Sequence, residues 1–157
     1  MRYTSSFGLP LLVGLSLSAC TAVHKPVGFW SRNRYNAKLE RQGPWRIYYD
    51  ETERHLAAKG RFRRNYERGR WRYYSFNGQR EKWELYHRQP GGLISIRHYD
   101  LTGKIQRQGQ ARYVNEPDGP HFYWFGPWRY FDAQGKMVKI ETYEGGTRIS
   151  SDSVAGK

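Results

Sequence analysis

Gly69-Arg70-Trp71-Arg72-Tyr73-Tyr74-Ser75-Phe76-Asn77-Gly78-Gln79 aligns without a gap on Gly126-Pro127-Trp128-Arg129-Tyr130-Phe131-Asp132-Ala133-Gln134-Gly135-Lys136, and this self-match decides the fold. Trp71 and Tyr73 alternate with Arg70, Arg72 and Tyr74, as Trp128 and Tyr130 do with Arg129 and Phe131. That is the two-residue period of a β-strand, built from residue types that favour strands. Each strand then runs into Asn-Gly or Asp-x-x-Gly, where a side-chain acceptor starts a turn and glycine supplies the left-handed conformation that finishes it. The repeating unit is a β-hairpin.

Two further copies flank these. Gly43-Pro44-Trp45-Arg46-Ile47-Tyr48-Tyr49-Asp50 matches with one inserted residue, Ile47, and has Glu53 where the turn glycine belongs, which predicts a looser or differently typed turn. Ile94-Ser95-Ile96-Arg97-His98-Tyr99-Asp100-Leu101-Thr102-Gly103-Lys104 is weaker, with Ile96 in place of Trp and His98 in place of Tyr. Positions 50, 75, 100 and 132 are 25, 25 and 32 apart, so an insertion precedes the last copy, around 115–121, where Pro117-Asp118-Gly119-Pro120 is a loop signal. A period of this size means stacked units that share their apolar faces. Returning strands are expected over 79–86, 104–113 and 136–143. The expected fold is all-β, an elongated antiparallel meander of about four repeated β-hairpins over 43–146, with 147–157 as a C-terminal tail.

A length of 157 residues suits one domain with a modest core. Aromatics at 17% exclude a disordered chain, and a single Cys excludes an internal disulfide framework or a Cys-based zinc cluster. Lys and Arg number 27 against 14 Asp and Glu, a formal charge of +13. Such an excess attracts polyanions.

The N-terminus reads as an address. One positive charge precedes an apolar run over 7–17, too short to span a bilayer, which takes about 20 residues as a helix. The run ends in Leu17-Ser18-Ala19-Cys20, which resembles the lipobox of bacterial lipoproteins and uses the chain's only Cys. The resemblance implies a signal peptide over 1–19, lipidation of Cys20 with fatty acyl chains such as palmitate, and a membrane-tethered product in which 20–42 is the lipidated Cys and a tether. More than one acyl chain makes such anchoring stable. Thr21 stands where retained inner-membrane lipoproteins of enteric bacteria commonly carry Asp, so the resemblance favours the outer membrane over the inner, with the domain facing the periplasm. Within the tether a short helix over 36–41 is an option.

The repeat itself resembles the MORN family and more closely its bacterial variant, through Tyr66-Glu67-Arg68-Gly69-Arg70-Trp71-Arg72-Tyr73-Tyr74-Ser75-Phe76-Asn77-Gly78 and Phe125-Gly126-Pro127-Trp128. The first Gly of each unit is mostly missing. The resemblance covers about 42–146 and implies a scaffold or binding surface without chemistry of its own; bacterial proteins of the variant class are often labelled antitoxins.

Catalytic and metal-binding readings find little support. Asp50, Asp100 and Asp132 recur at one place in the repeat, as turn-forming residues do, rather than as a general acid and base. His24, His55, His87, His98 and His121 are scattered, without a metal-binding spacing, and His98 sits in the repeat frame as a packing residue. Neither a nucleophile elbow nor a phosphate loop is present; Gly91-Gly92 and Gly145-Gly146 read as turns. No catalytic residue, metal or cofactor is expected. What remains is a row formed by Arg46, Arg72, Arg97 and Arg129 at equivalent positions, with Tyr74 and Phe131 beside it. Cations interleaved with rings resemble a single-strand nucleic-acid platform, but an envelope location argues against nucleic acid. The expected function is a non-catalytic envelope lipoprotein whose sheet binds a protein or an anionic envelope polymer, with an immunity or antitoxin role as one form of it. The alternative is an envelope enzyme acting on glycan or lipid.

Overall fold

The computed structural model describes residues 31–88 and 92–154, with the side chain of Pro120 excepted. The signal and lipobox expectations on 1–19 and Cys20, the tether up to 30, and Gly91 lie outside the described residues.

Ten strands follow one another: β1 (Arg34–Tyr35), β2 (Arg41–Tyr48), β3 (Leu56–Arg63), β4 (Tyr66–Tyr74), β5 (Arg80–Tyr86), β6 (Leu93–Tyr99), β7 (Ile105–Glu116), β8 (Gly119–Phe131), β9 (Met137–Glu144) and β10 (Thr147–Ser153). They form one antiparallel sheet whose strand order is the chain order, so the expected meander of hairpins is the fold. Among the described residues there is no helix, and therefore none long and apolar enough to cross a membrane. The sheet runs past the expected limits at both ends. Residues 36–41 are a turn entering β2 and not a helix, because the Asn36 side chain accepts from the backbone N–H groups of Lys38 and Glu40. Within the expected tail, Thr147–Ser153 is β10, paired to β9, and 155–157 lie outside the described residues.

The turns are built as the repeated Asp and Gly require. Asp132 Oδ1 accepts from the N–H of Gln134 and Lys136 at 3.0 and 2.9 Å, and Asp100 Oδ1 from Thr102 and Lys104 at 2.8 and 3.0 Å. Gly103 and Gly135 both take φ +83°. In the first copy Glu53 adopts φ 57°, so the left-handed position is kept without glycine. The insertion before the last copy is not a loop. It lengthens β7 and β8 into a long hairpin that turns at Pro117 and Asp118.

Buried residues lie on one face of the sheet. Trp71 packs with Ala58 and Phe62, and Trp128 with Ile94, Ile96 and Ala111. The two indoles are the largest fully buried side chains, 1% and 0% exposed, because each crosses a glycine on the preceding strand. A Cβ on Gly60 would stand 2.2 Å from Trp71, and one on Gly109 2.4 Å from Trp128. At each crossing the register shifts: one residue, Gly60 or Gly109, faces the Gly-x-Trp segment 69–71 or 126–128. The indole N–H then donates to a carbonyl on that strand, Trp71 to Arg61 at 3.2 Å and Trp128 to Gln110 at 3.0 Å. Ile96 replaces Trp in the weak copy for a spatial reason: the residue opposite it on the preceding strand is Glu84, paired without a shift, and the glycine opposite it on the following strand, Gly109, is already crossed by Trp128.

Candidate binding face

The inner face carries a second repeated device. Glu84, 4% exposed, accepts from the Tyr73 hydroxyl at 2.6 Å and the Tyr86 hydroxyl at 3.0 Å, with Lys82 Nζ at 2.8 Å. Glu141, 3% exposed, accepts from Tyr130 at 2.5 Å and Tyr143 at 2.9 Å, with Lys139 and Arg148 on its other oxygen. A buried carboxylate survives only when its lone pairs are filled. The Tyr130 hydroxyl bond, outweighing desolvation, together with the two cations and Tyr143 holds Glu141 down to about 2. Burial, then the neighbouring carboxylate, pushes the Tyr73 and Tyr86 hydroxyls well above the usual phenol range. Glu141 and the Tyr73 and Tyr86 hydroxyls are each held in one protonation state, which suits a structural tie and not proton transfer.

Residues of opposite parity point to the outer face, and here the register joins the expected row. Arg46 pairs with Lys59, Lys59 with Arg72, Arg72 with Trp83, Trp83 with Arg97, Arg97 with Gln108, and Gln108 with Arg129. Directly opposite residues of an antiparallel pair project to the same side. At about 4.8 Å per strand, the line from Arg46 to Arg129 is about 29 Å long. Some of its members have contacts of their own: the Asn33 side chain brackets Arg46 by bonding its backbone N–H at 2.7 Å and its carbonyl at 2.9 Å. Lys59 Nζ lies 5.2 Å from the Tyr74 ring and the Arg97 guanidinium 5.0 Å from Trp83. Phe131, half-buried, follows a register shift in β8 as Tyr74 does in β4. Among the described residues none of Arg46, Lys59, Arg72, Arg97 or Arg129 forms an ion pair; the carboxylate of the same line, Asp152, lies two strands beyond Arg129, past Ile140.

Two grooves open on this face, one at each indole crossing. The first, about 520 Å³, is lined by Arg32, Arg46, Lys59, Arg61, Arg70 and Arg72 without a carboxylate. The second, about 480 Å³, is lined by Trp83, Ser95, Arg97, Gln108, Gln110 and Arg129. A larger hollow of about 890 Å³ shares Arg61 with the first groove and is lined also by Arg34, Arg63, Arg68 and Arg88.

The arginine row was legible from the repeat; Lys59, Trp83 and Gln108 were not, because they sit on returning strands whose sequences barely match one another. Asp50, Asp100 and Asp132 face their own turns and do not gather. The described histidines are apart. His55 stacks on Phe76 at 3.9 Å, His87 bonds Ser95, and His98 lies on the inner face 6.2 Å from Trp128. Burial first, then Arg107 and Lys82, lowers His98 to about 4, so it is neutral. His121 is an exception to the scatter: with Glu116 and Asp118 it forms a cluster of three whose polar atoms lie within 4.8 Å at the tip of the β7–β8 hairpin. The spacing 116, 118, 121 could have signalled it. His121 Nε2 meets Asp118 Oδ1 at 2.8 Å, and the Tyr123 hydroxyl donates to Glu116 at 3.1 Å, so these exposed groups satisfy one another. In comparisons with family models, curated proteins and solved structures, nothing matches this chain.

Proposed function

We propose that the chain is a non-catalytic, lipid-anchored protein of a bacterial cell envelope, built on MORN-like hairpins, whose outer sheet face docks an anionic partner. The observation that carries this reading is the unpaired row Arg46, Lys59, Arg72, Trp83, Arg97, Gln108, Arg129. Cations left without counter-charges on a rigid sheet keep a potential that draws anions and are already placed when one arrives. The inner face supports the non-catalytic part, since its two glutamates are each saturated by hydroxyls and ammonium groups.

The test is capture of the tagged chain from its own membranes after crosslinking, with Arg72→Glu/Arg129→Glu as control. Both side chains lie on the outer face, so the double variant is expected to keep its melting temperature within a few degrees and to lose the captured partner. Retained capture by a folded double variant would refute the row. Anchoring is tested separately: Cys20→Ser should take up no labelled fatty acid and leave the membrane fraction.

A further inference from the structure

The second groove differs in chemistry from the first, and we infer that it is a subsite for an acidic polysaccharide lying along the row, across the strands. This rests on the docking reading above and narrows it to one class of partner. In the first groove six cations stand with Trp45 and Pro44 and no side-chain amide, which suits any dense anion. In the second, Arg97 and Arg129 are two strands apart, about 9.6 Å, with Gln108 between them. Gln110 and Ser95 form the parallel line beside it, and Trp83 closes the end.

A linked pyranose advances a glycan by about one strand spacing. From Arg72 through Trp83, Arg97 and Gln108 to Arg129 charged and neutral side chains alternate, and this stretch matches a polymer whose carboxylate-bearing rings alternate with neutral ones. Each arginine offers a planar fork to a carboxylate. The side-chain amides of Gln108 and Gln110 make no hydrogen bond within the described residues, so each can both donate to and accept from ring hydroxyls, which phosphate chains do not supply. Trp83, over whose ring the Arg97 guanidinium sits 5.0 Å from the centroid, adds an apolar ring edge at the end of the groove for sugar C–H groups. Charge alone would explain the first groove; amides and an indole set between arginines are what a polyol with carboxylates requires.

The experiment titrates the full-length chain, by calorimetry, with hyaluronan oligosaccharides, with inorganic polyphosphate as a ringless polyanion and dextran as a neutral glycan. The expected result is hyaluronan binding that weakens at least tenfold in Trp83→Ala and in Gln108→Ala/Gln110→Ala, is largely kept in Trp83→Phe, and is absent for dextran, while polyphosphate affinity is unchanged in all three variants. Melting curves of the variants report retained fold. Equal binding of hyaluronan and polyphosphate, insensitive to those variants but lost in Arg72→Glu/Arg129→Glu, would overturn the glycan subsite and leave the docking reading standing. If neither polymer binds while membrane capture returns a protein lost in the charge-reversal control, the partner is a protein and the subsite falls. If no variant differs from the parent chain in any assay, both readings fall together.

Discussion

The two halves of the sheet, β2 to β5 and β6 to β9, agree on the inner face and part company on the outer one. Inside, Gly60, Trp71, Tyr73, Lys82, Glu84 and Tyr86 are matched by Gly109, Trp128, Tyr130, Lys139, Glu141 and Tyr143, contact for contact. Outside, the row reads Arg46, Lys59, Arg72, Trp83 in one half and Arg97, Gln108, Arg129, Ile140 in the other. Inner positions are constrained together, because an indole over a glycine and a carboxylate under two hydroxyls leave no room for piecemeal change. Outer positions bear little on folding and are free to follow a partner. The comparison teaches where to look for specificity: in Lys59 against Gln108, and in Trp83 against Ile140.

The strongest way to break this equivalence is to add one methyl group. Gly60→Ala and Gly109→Ala should each cost about 3 kcal/mol in urea unfolding, since the new carbon would stand inside the indole contact distance. A silent substitution in one half and a severe one in the other would show that the halves are not built alike. A smaller difference is expected at the buried carboxylates. Glu84→Gln and Glu141→Gln should each cost about 2 kcal/mol through weakened hydroxyl and cation bonds, with Glu141 the larger because Arg148 adds a partner. Glu141 also gives acid sensitivity. Its carboxyl is held at about 2 against an ordinary 4.5, so its contribution is complete above pH 4.5 and is lost as pH falls toward 2. Glu141→Gln should flatten that part of the stability profile.

His98 belongs to the second half alone. Its folded value of about 4 lies below the ordinary 6.5, so the unfolded chain takes up the proton first, and stability should decline as pH falls from 6.5 to 4. Arg107 and Lys82 oppose the charge on it and Glu84 favours it, the net being a neutral ring. His98→Phe should remove the decline, read as a melting temperature that no longer drops across that window. Least of all, Arg97→Ala and Arg129→Ala should change unfolding free energy by no more than about 0.5 kcal/mol. A larger loss would mean that the outer row also holds the sheet.

Much of this could be read in advance, and what was missed has a physical cause. Trp, Tyr and the turn Asp recur with the strand period, so hairpins and the arginine row follow from Trp71-Arg72-Tyr73 and Trp128-Arg129-Tyr130 alone. Gly60 and Gly109 carry half of each core crossing yet lie 11 and 19 residues before their indoles. The unequal hairpins between them, a two-residue turn at Arg64-Asn65 in one and the lengthened β7–β8 in the other, hide the match. β1 has only two residues and pairs with the start of β2. Its Tyr35 meets Trp45 edge-on at 5.3 Å as Phe62 meets Trp71 at 4.8 Å. It provides no carbonyl for the Trp45 indole, whose Nε1 is buried without a partner. No alternation marks a strand that short. β10 was hidden differently: Thr147 to Ser153 is exposed throughout, so burial leaves no pattern in it.

Strand order that copies chain order has a consequence for how the molecule comes into being. No strand waits for a distant partner, so each hairpin can close once about 25 residues of chain have been delivered, and the next can zip onto it. A chain emerging end-first from a narrow passage would thus fold behind the opening at the pace of its arrival. Pulled from its two ends, the same architecture would peel one strand at a time, yielding at low force as a zip fastener does, so its rigidity belongs to the face and not to the line joining its ends.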